Sequence, residues 1–114
     1  MTRSTQEIDI AGNIRLIEWL KAEIINGVAS LFRALLKNSQ DLTTEALANI
    51  ITACYFLGER VGLSFEDVDT RIVSRLKSHL EDEHQLEKWH GDISRLLRYY
   101  RSWRNGHEDV NDQK

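Results

Sequence analysis

Residues Asn13–Asn38 read NIRLIEWLKAEIINGVASLFRALLKN, and this run decides the fold. It holds no proline, and Ile14, Ile17, Ile24, Val28, Leu31 and Leu35 recur at helical spacing in a stripe interrupted by Lys21. Leu16, Leu20, Ile25, Phe32 and Leu36 make the same helix apolar on more than one side. Such a helix needs several neighbours packed around it. The pattern predicts a first helix from Asp9, its N-cap, to about Asn38. Gly27 lies in its middle and predicts either a break or a close helix contact.

Working outward, Asn38–Asp41 reads as a short polar turn, with Asp41 or Thr43 available to cap a second helix through about Val61. Its expected core face carries Leu47, Ile50, Ile51, Cys54, Tyr55 and Leu57, and Gly62 fits the position that ends a helix. Ser64-Phe65-Glu66-Asp67 approximates a capping box, so a third helix is expected to about Leu80. Phe65, Val68, Ile72, Val73, Leu76 and Leu80 would face inward. The acidic run Glu81–Gln85 extends or bends that helix. A last helix is expected from Asp92 as cap, offering Ile93, Leu96, Leu97, Tyr100 and Trp103 for packing. Asn105-Gly106 would stop it, and residues 107–114 form a polar tail.

The whole chain agrees with this reading. Its 114 residues are one domain's worth, with the ordered core expected over about 10–104, and contain no proline and 6 glycines. The fold expected is all-α, a bundle of four or five helices. A formal net charge of −3 gives no global attraction to nucleic acid or to an anionic membrane. Met1–Ile10 is polar, no apolar run reaches membrane-span length, and a cytoplasmic protein is expected.

Isolated reactive side chains point to little chemistry. Cys54 sits in an apolar run and reads as a buried, inert thiol. His79, His84, His90 and His107 form no i, i+4 metal pair and read as exposed. Arg95, Arg98, Arg101 and Arg104 recur every third residue and spread over half a helix surface. They are expected to pair with the Glu81–Glu87 acids or with solvent, while Tyr99, Tyr100, Trp103 and Trp19 pack inside. Phosphate gripping with base stacking is the other use of such residues.

Three stretches together carry more information: Trp19-Leu20-Lys21-Ala22-Glu23-Ile24-Ile25-Asn26-Gly27, Glu45-Ala46-Leu47-Ala48-Asn49-Ile50-Ile51, and Gly62-Leu63-Ser64-Phe65-Glu66-Asp67-Val68. In order and spacing they resemble the MazG-like all-α nucleoside triphosphate pyrophosphohydrolases, in particular the small single-domain type of Gram-positive bacteria. That family carries E-E-x-x-E on one helix and E-x-x-D on the next, then a glycine-containing turn and an acidic helix start. The first motif falls on Ala22, Glu23 and Asn26, the second on Ala46 and Asn49. Only Glu23 keeps its acid. Glu45 is one position early, yet shares a helix face with Asn49.

The resemblance implies hydrolysis of a nucleoside triphosphate to the monophosphate and pyrophosphate, with Mg²⁺ as cofactor, and a homodimer that completes the bundle. Carried onto this chain, the metal set is Glu23, Asn26, Glu45 and Asn49, with no catalytic residue assigned. Mg²⁺ prefers several charged oxygens in octahedral geometry, and amides at positions 26 and 49 make a poor cage. Three readings of these residues therefore stand: ordinary polar side chains, a nucleotide pocket without efficient hydrolysis, and a working pyrophosphohydrolase. At the level of the whole protein the choice is between a MazG-like enzyme relative with a degenerate metal motif and a non-catalytic oligomerisation or regulatory module.

Overall fold

The computed structural model describes residues 2–81 and 87–112, and the side chains of 9–81 and 91–103. These residues form four α-helices and no strand: α1 (Thr2–Leu36), α2 (Gln40–Arg60), α3 (Phe65–Glu81) and α4 (Glu87–Asp112). The fold is all-α, as the patterning requires. The described chain forms two compact units, one up to Phe65 and one from Glu66 onward.

In the first unit, α1 and α2 pack as a hairpin. Their connection is short because one residue ends the first helix and the next begins the second. Asn38 takes the left-handed conformation (φ 56°), its N–H donating to the Leu35 carbonyl at 3.1 Å and that of Ser39 to Ala34 at 3.2 Å. These paired bonds satisfy carbonyls that the end of α1 leaves open. Ser39 then caps α2, its hydroxyl accepting from the Leu42 N–H at 3.2 Å. The N-cap is therefore Ser39 and not Asp41 or Thr43. Asp41 lies in the first turn, where its charge suits the helix dipole, and the Thr43 hydroxyl donates to the Ser39 carbonyl at 2.7 Å. The same paired bonds close α2: Gly62 (φ 99°) donates to Glu59 at 3.2 Å and Leu63 to Gly58 at 2.9 Å. Gly62 thus has the C-terminal role its sequence position predicts.

The seam between α1 and α2 is built from small residues. Leu20, Ala34, Ala46 and Ala53 are buried, with Ile24, Gly27, Leu31, Ile50 and Leu57 half-buried among them. A Cβ placed on Gly27 would lie 2.8 Å from Ile50 Cγ1, so Gly27 marks a close helix contact and not a break. Far from the connection, Asn13 Nδ2 donates to the Arg60 carbonyl at 3.3 Å, which fixes the antiparallel register. This seam is rotated from the predicted core. Ile14, Val28 and Leu35 on α1, and Leu47, Ile51 and Cys54 on α2, are exposed. Bulk alone was the wrong guide, because glycine and alanine let the two backbones approach and so define the contact face. Phe65 closes the unit by meeting Tyr55 edge-on at 5.8 Å and Phe56 at 6.4 Å.

In the second unit, Val68, Ile72, Val73, Leu76 and Leu80 of α3 are half-buried as expected, whereas Phe65, expected to face inward, is exposed at the start of the helix. Glu66 and Asp67 place negative charge at its first turn. In α4 Leu97 is buried and Ile93 and Tyr100 are half-buried, while Leu96 and Trp103 are exposed. Arg95 pairs with Asp92, one turn earlier.

Several predicted boundaries shift. Asp9 lies inside α1, which starts at Thr2, because Thr2–Ile8 holds neither glycine nor proline to stop it. Asp92 lies inside α4, and that helix passes through Asn105-Gly106 to Asp112. One glycine costs a helix only about 1 kcal/mol, and no proline follows to end it. Trp19 and Tyr99 are exposed where packing was expected, and His79 is half-buried where exposure was expected. Residues 82–86, with most of the acidic run and His84, and the side chains of His90, Arg104 and His107 lie outside the described residues.

Candidate functional site

The two flanks of the α1–α2 hairpin differ in chemistry. On one, steps of three and four place Trp19, Glu23, Asn26, Ser30, Arg33 and Lys37 along a single stripe of α1. Every one of them is exposed. The facing stripe of α2 carries Leu42, Glu45 and Asn49, again at steps of three and four. Between the stripes, near the connection, lies a cavity of about 290 Å³ whose polar lining is Ser30, Arg33, Lys37, Glu45 and Asn49. Ala46 forms part of its floor and is itself buried.

The structure therefore brings Glu45 and Asn49 together, and it puts them beside two cations. With Ile50 against Gly27, Asn26 lies at the level of Asn49, and Glu23 lies a turn farther from the connection. At about 1.5 Å per residue, Glu23 and Glu45 are separated by roughly 13 Å along the hairpin. Glu23 and Asn26 are outside the lining of the cavity. Arg33 Nη2 donates to Ser30 Oγ at 3.3 Å. Among the described residues, the side chains of Lys37, Glu45 and Asn49 have neither an ion pair nor a hydrogen bond.

Mg²⁺ binds oxygen ligands at about 2.1 Å and favours charged ones, drawn from a compact set. Two carboxylates spread along a groove, two amides, and the cations Arg33 and Lys37 toward the connection are a poor match to that demand. Among the described residues no three His, Cys, Asp or Glu side chains cluster as a metal site. What the cavity offers instead is a set of N–H donors and positive charge, opposed by one carboxylate. Sequence reading by motif missed Ser30, Arg33 and Lys37. Their shared stripe with Glu23 and Asn26 was the available signal, since 23, 26, 30, 33 and 37 step along one face.

The opposite flank of the hairpin is apolar. Ile10, Ile14, Ile25, Val28, Phe32 and Leu36 on α1 are exposed, as are Leu47 and Ile51 on α2. Lys21 interrupts this flank, and its ammonium is held by Glu18 at 2.8 Å. No described helix is long and apolar enough to cross a membrane.

A helical hairpin with a polar groove on one side, followed by two further helices, defines an all-α protein. The family model of the MazG-like family matches residues 10–93, so the chain belongs to the MazG-like family. This membership relates it to the nucleoside triphosphate pyrophosphohydrolases. Comparison with curated proteins and with solved structures gives no match.

Proposed function

We propose that this chain is a homodimeric, cytoplasmic MazG-like protein that holds nucleotide phosphates in the α1–α2 groove without hydrolysing them efficiently. One observation carries the reading: Asn49 and Glu45 share their cavity with Arg33 and Lys37, and a set of metal-binding carboxylates is lacking there. Hydrolysis of a triphosphate by this family's route needs Mg²⁺ to offset several negative charges and to polarise phosphorus. Amides at Asn26 and Asn49 cannot supply that field. Cations can still bind the anion, but they do not hold and activate a water.

The dimer rests on the apolar flank. The side chains buried in the first unit are Leu20 and four small residues, and a hairpin of two helices cannot stand on so thin a core. A second copy laid on Ile25, Phe32 and Ile51 supplies the missing layer of a four-helix bundle. That same flank favours a second reading, a non-catalytic helical interaction module built on the dimer.

The test is pyrophosphate release across the common nucleoside triphosphates, with Mg²⁺ and with Mn²⁺. The expected result is no release above the protein-free control. Metal-dependent turnover that Glu45→Gln abolishes would overturn this reading and restore the enzyme.

A further inference from the structure

We propose that Arg33 and Lys37 bind a di- or triphosphate anion directly, in the cavity beside Asn49, without a metal ion. The inference rests on the groove reading above and adds the ligand's chemistry and the means of holding it. Four observations lead to it. The cavity is bounded by the last turns of α1 and the first turns of α2, so its shape is set by helix packing and by the capped connection at Asn38-Ser39. Its volume of about 290 Å³ is large enough for a pyrophosphate group. Its ionic lining is two cations to one carboxylate. The Lys37 ammonium has no partner among the described residues, and Arg33 commits one N–H group to Ser30 Oγ.

A guanidinium has five N–H donors in a planar fork that matches phosphate oxygens in pairs. With one donor on Ser30, Arg33 keeps the others for an anion, and the hydroxyl limits its rotation. Lys37, one turn on, adds a point charge that suits a second phosphoryl group. The Asn49 amide can donate from the opposite wall. Glu45 acts against the ligand, since its carboxylate repels phosphate oxygens across the cavity. In a metal cage the same carboxylate would be essential, so Glu45 gives the two mechanisms opposite signs.

There is a plainer role for the cations. Arg33 and Lys37 lie at the C-terminal end of α1, where positive charge stabilises the helix dipole. That role predicts lower stability when they are neutralised and no change in anion binding.

Isothermal titration of the full chain with inorganic pyrophosphate, in EDTA at low salt, separates these cases. Binding is expected without metal and weakens as salt rises. Arg33→Gln and Lys37→Gln each weaken it by about tenfold, the effect of one lost charged hydrogen bond, while Glu45→Gln tightens it. A nucleoside triphosphate binds in the same conditions, and the nucleoside alone does not. The inference is overturned if pyrophosphate binds only with Mg²⁺, if Glu45→Gln abolishes binding, or if Arg33→Gln and Lys37→Gln lower the melting temperature and leave affinity unchanged. Those outcomes concern the mode of binding. The absence of turnover is read separately by pyrophosphate release, so either claim can fail alone.

Discussion

Gly27→Leu is expected to cost about 3 kcal/mol, because it drives a side chain into the closest approach of α1 and α2. The first added carbon already meets Ile50 Cγ1 at 2.8 Å. Ile50 is β-branched and held on a helix, so its χ1 has little freedom to yield. The backbones must then separate, and contacts along the seam from Leu20 to Ala34 are lost with them. Gly12 on the same helix is the control: a Cβ there meets nothing within 4 Å. Gly12→Ala is expected to stabilise by about 1 kcal/mol through helix propensity alone. For a domain of this size, melting should fall by ten degrees or more in the first variant and rise by several in the second. Ile50→Ala should recover part of the loss in Gly27→Ala, since the shorter side chain removes the atom that the added Cβ meets. Thermal melting at one fixed protein concentration checks all four. Equal behaviour at positions 12 and 27 would mean that the seam is placed wrongly.

Phe32→Glu is expected to turn the proposed dimer into a monomer. Phe32 is 60% exposed and Ile25 70% exposed, on the apolar flank that the Lys21–Glu18 pair interrupts. Full burial of such a side chain contributes about 1.5–3 kcal/mol. Each appears twice in a symmetric dimer, so losing one type alone removes roughly 3–6 kcal/mol. That corresponds to a dissociation constant raised by about a hundredfold to ten-thousandfold. Trp19 offers a strict comparison, because it is 58% exposed but lies on the polar flank. Trp19→Glu should leave the dimer intact. Sedimentation at micromolar concentration reads both variants against the unaltered chain. A monomeric unaltered chain would refute the dimer outright.

Much of this was legible in the sequence, and the failures share a cause. Helical periodicity without proline fixed an all-α chain, Gly62 marked the end of α2, and the three quoted stretches pointed to the MazG-like family before the match over residues 10–93. The core face was misjudged because periodicity counts large apolar residues. The true seam runs through Gly27, Ala34, Ala46 and Ala53, whose contribution is close approach and not bulk. Cys54 and Trp19 were placed inside for the same reason. Helix starts at Asp9 and Asp92 were misjudged because an aspartate can sit in a helix interior at small cost. The groove was half legible. Glu23, Asn26, Glu45 and Asn49 came from a motif, but motifs list only the residues a family shares. Ser30, Arg33 and Lys37 needed the register of the two helices, which only packing supplies.

The central claim is that this groove has exchanged a metal cage for cations, and magnesium-dependent melting tests it most directly. A ligand present at a hundredfold over its dissociation constant stabilises the folded state by about 2.7 kcal/mol, a shift of about ten degrees here. The unaltered chain in millimolar Mg²⁺ is expected to move by less than about one degree, since no carboxylate cage is there to be filled. The variant Asn26→Glu, Ala46→Glu and Asn49→Asp restores the family's acids on both walls, with residue 46 reaching the cavity from its floor. It should gain a Mg²⁺-dependent shift, with circular dichroism confirming that it is folded. A shift near ten degrees in the unaltered chain, or a folded variant that does not respond at all, would contradict the account.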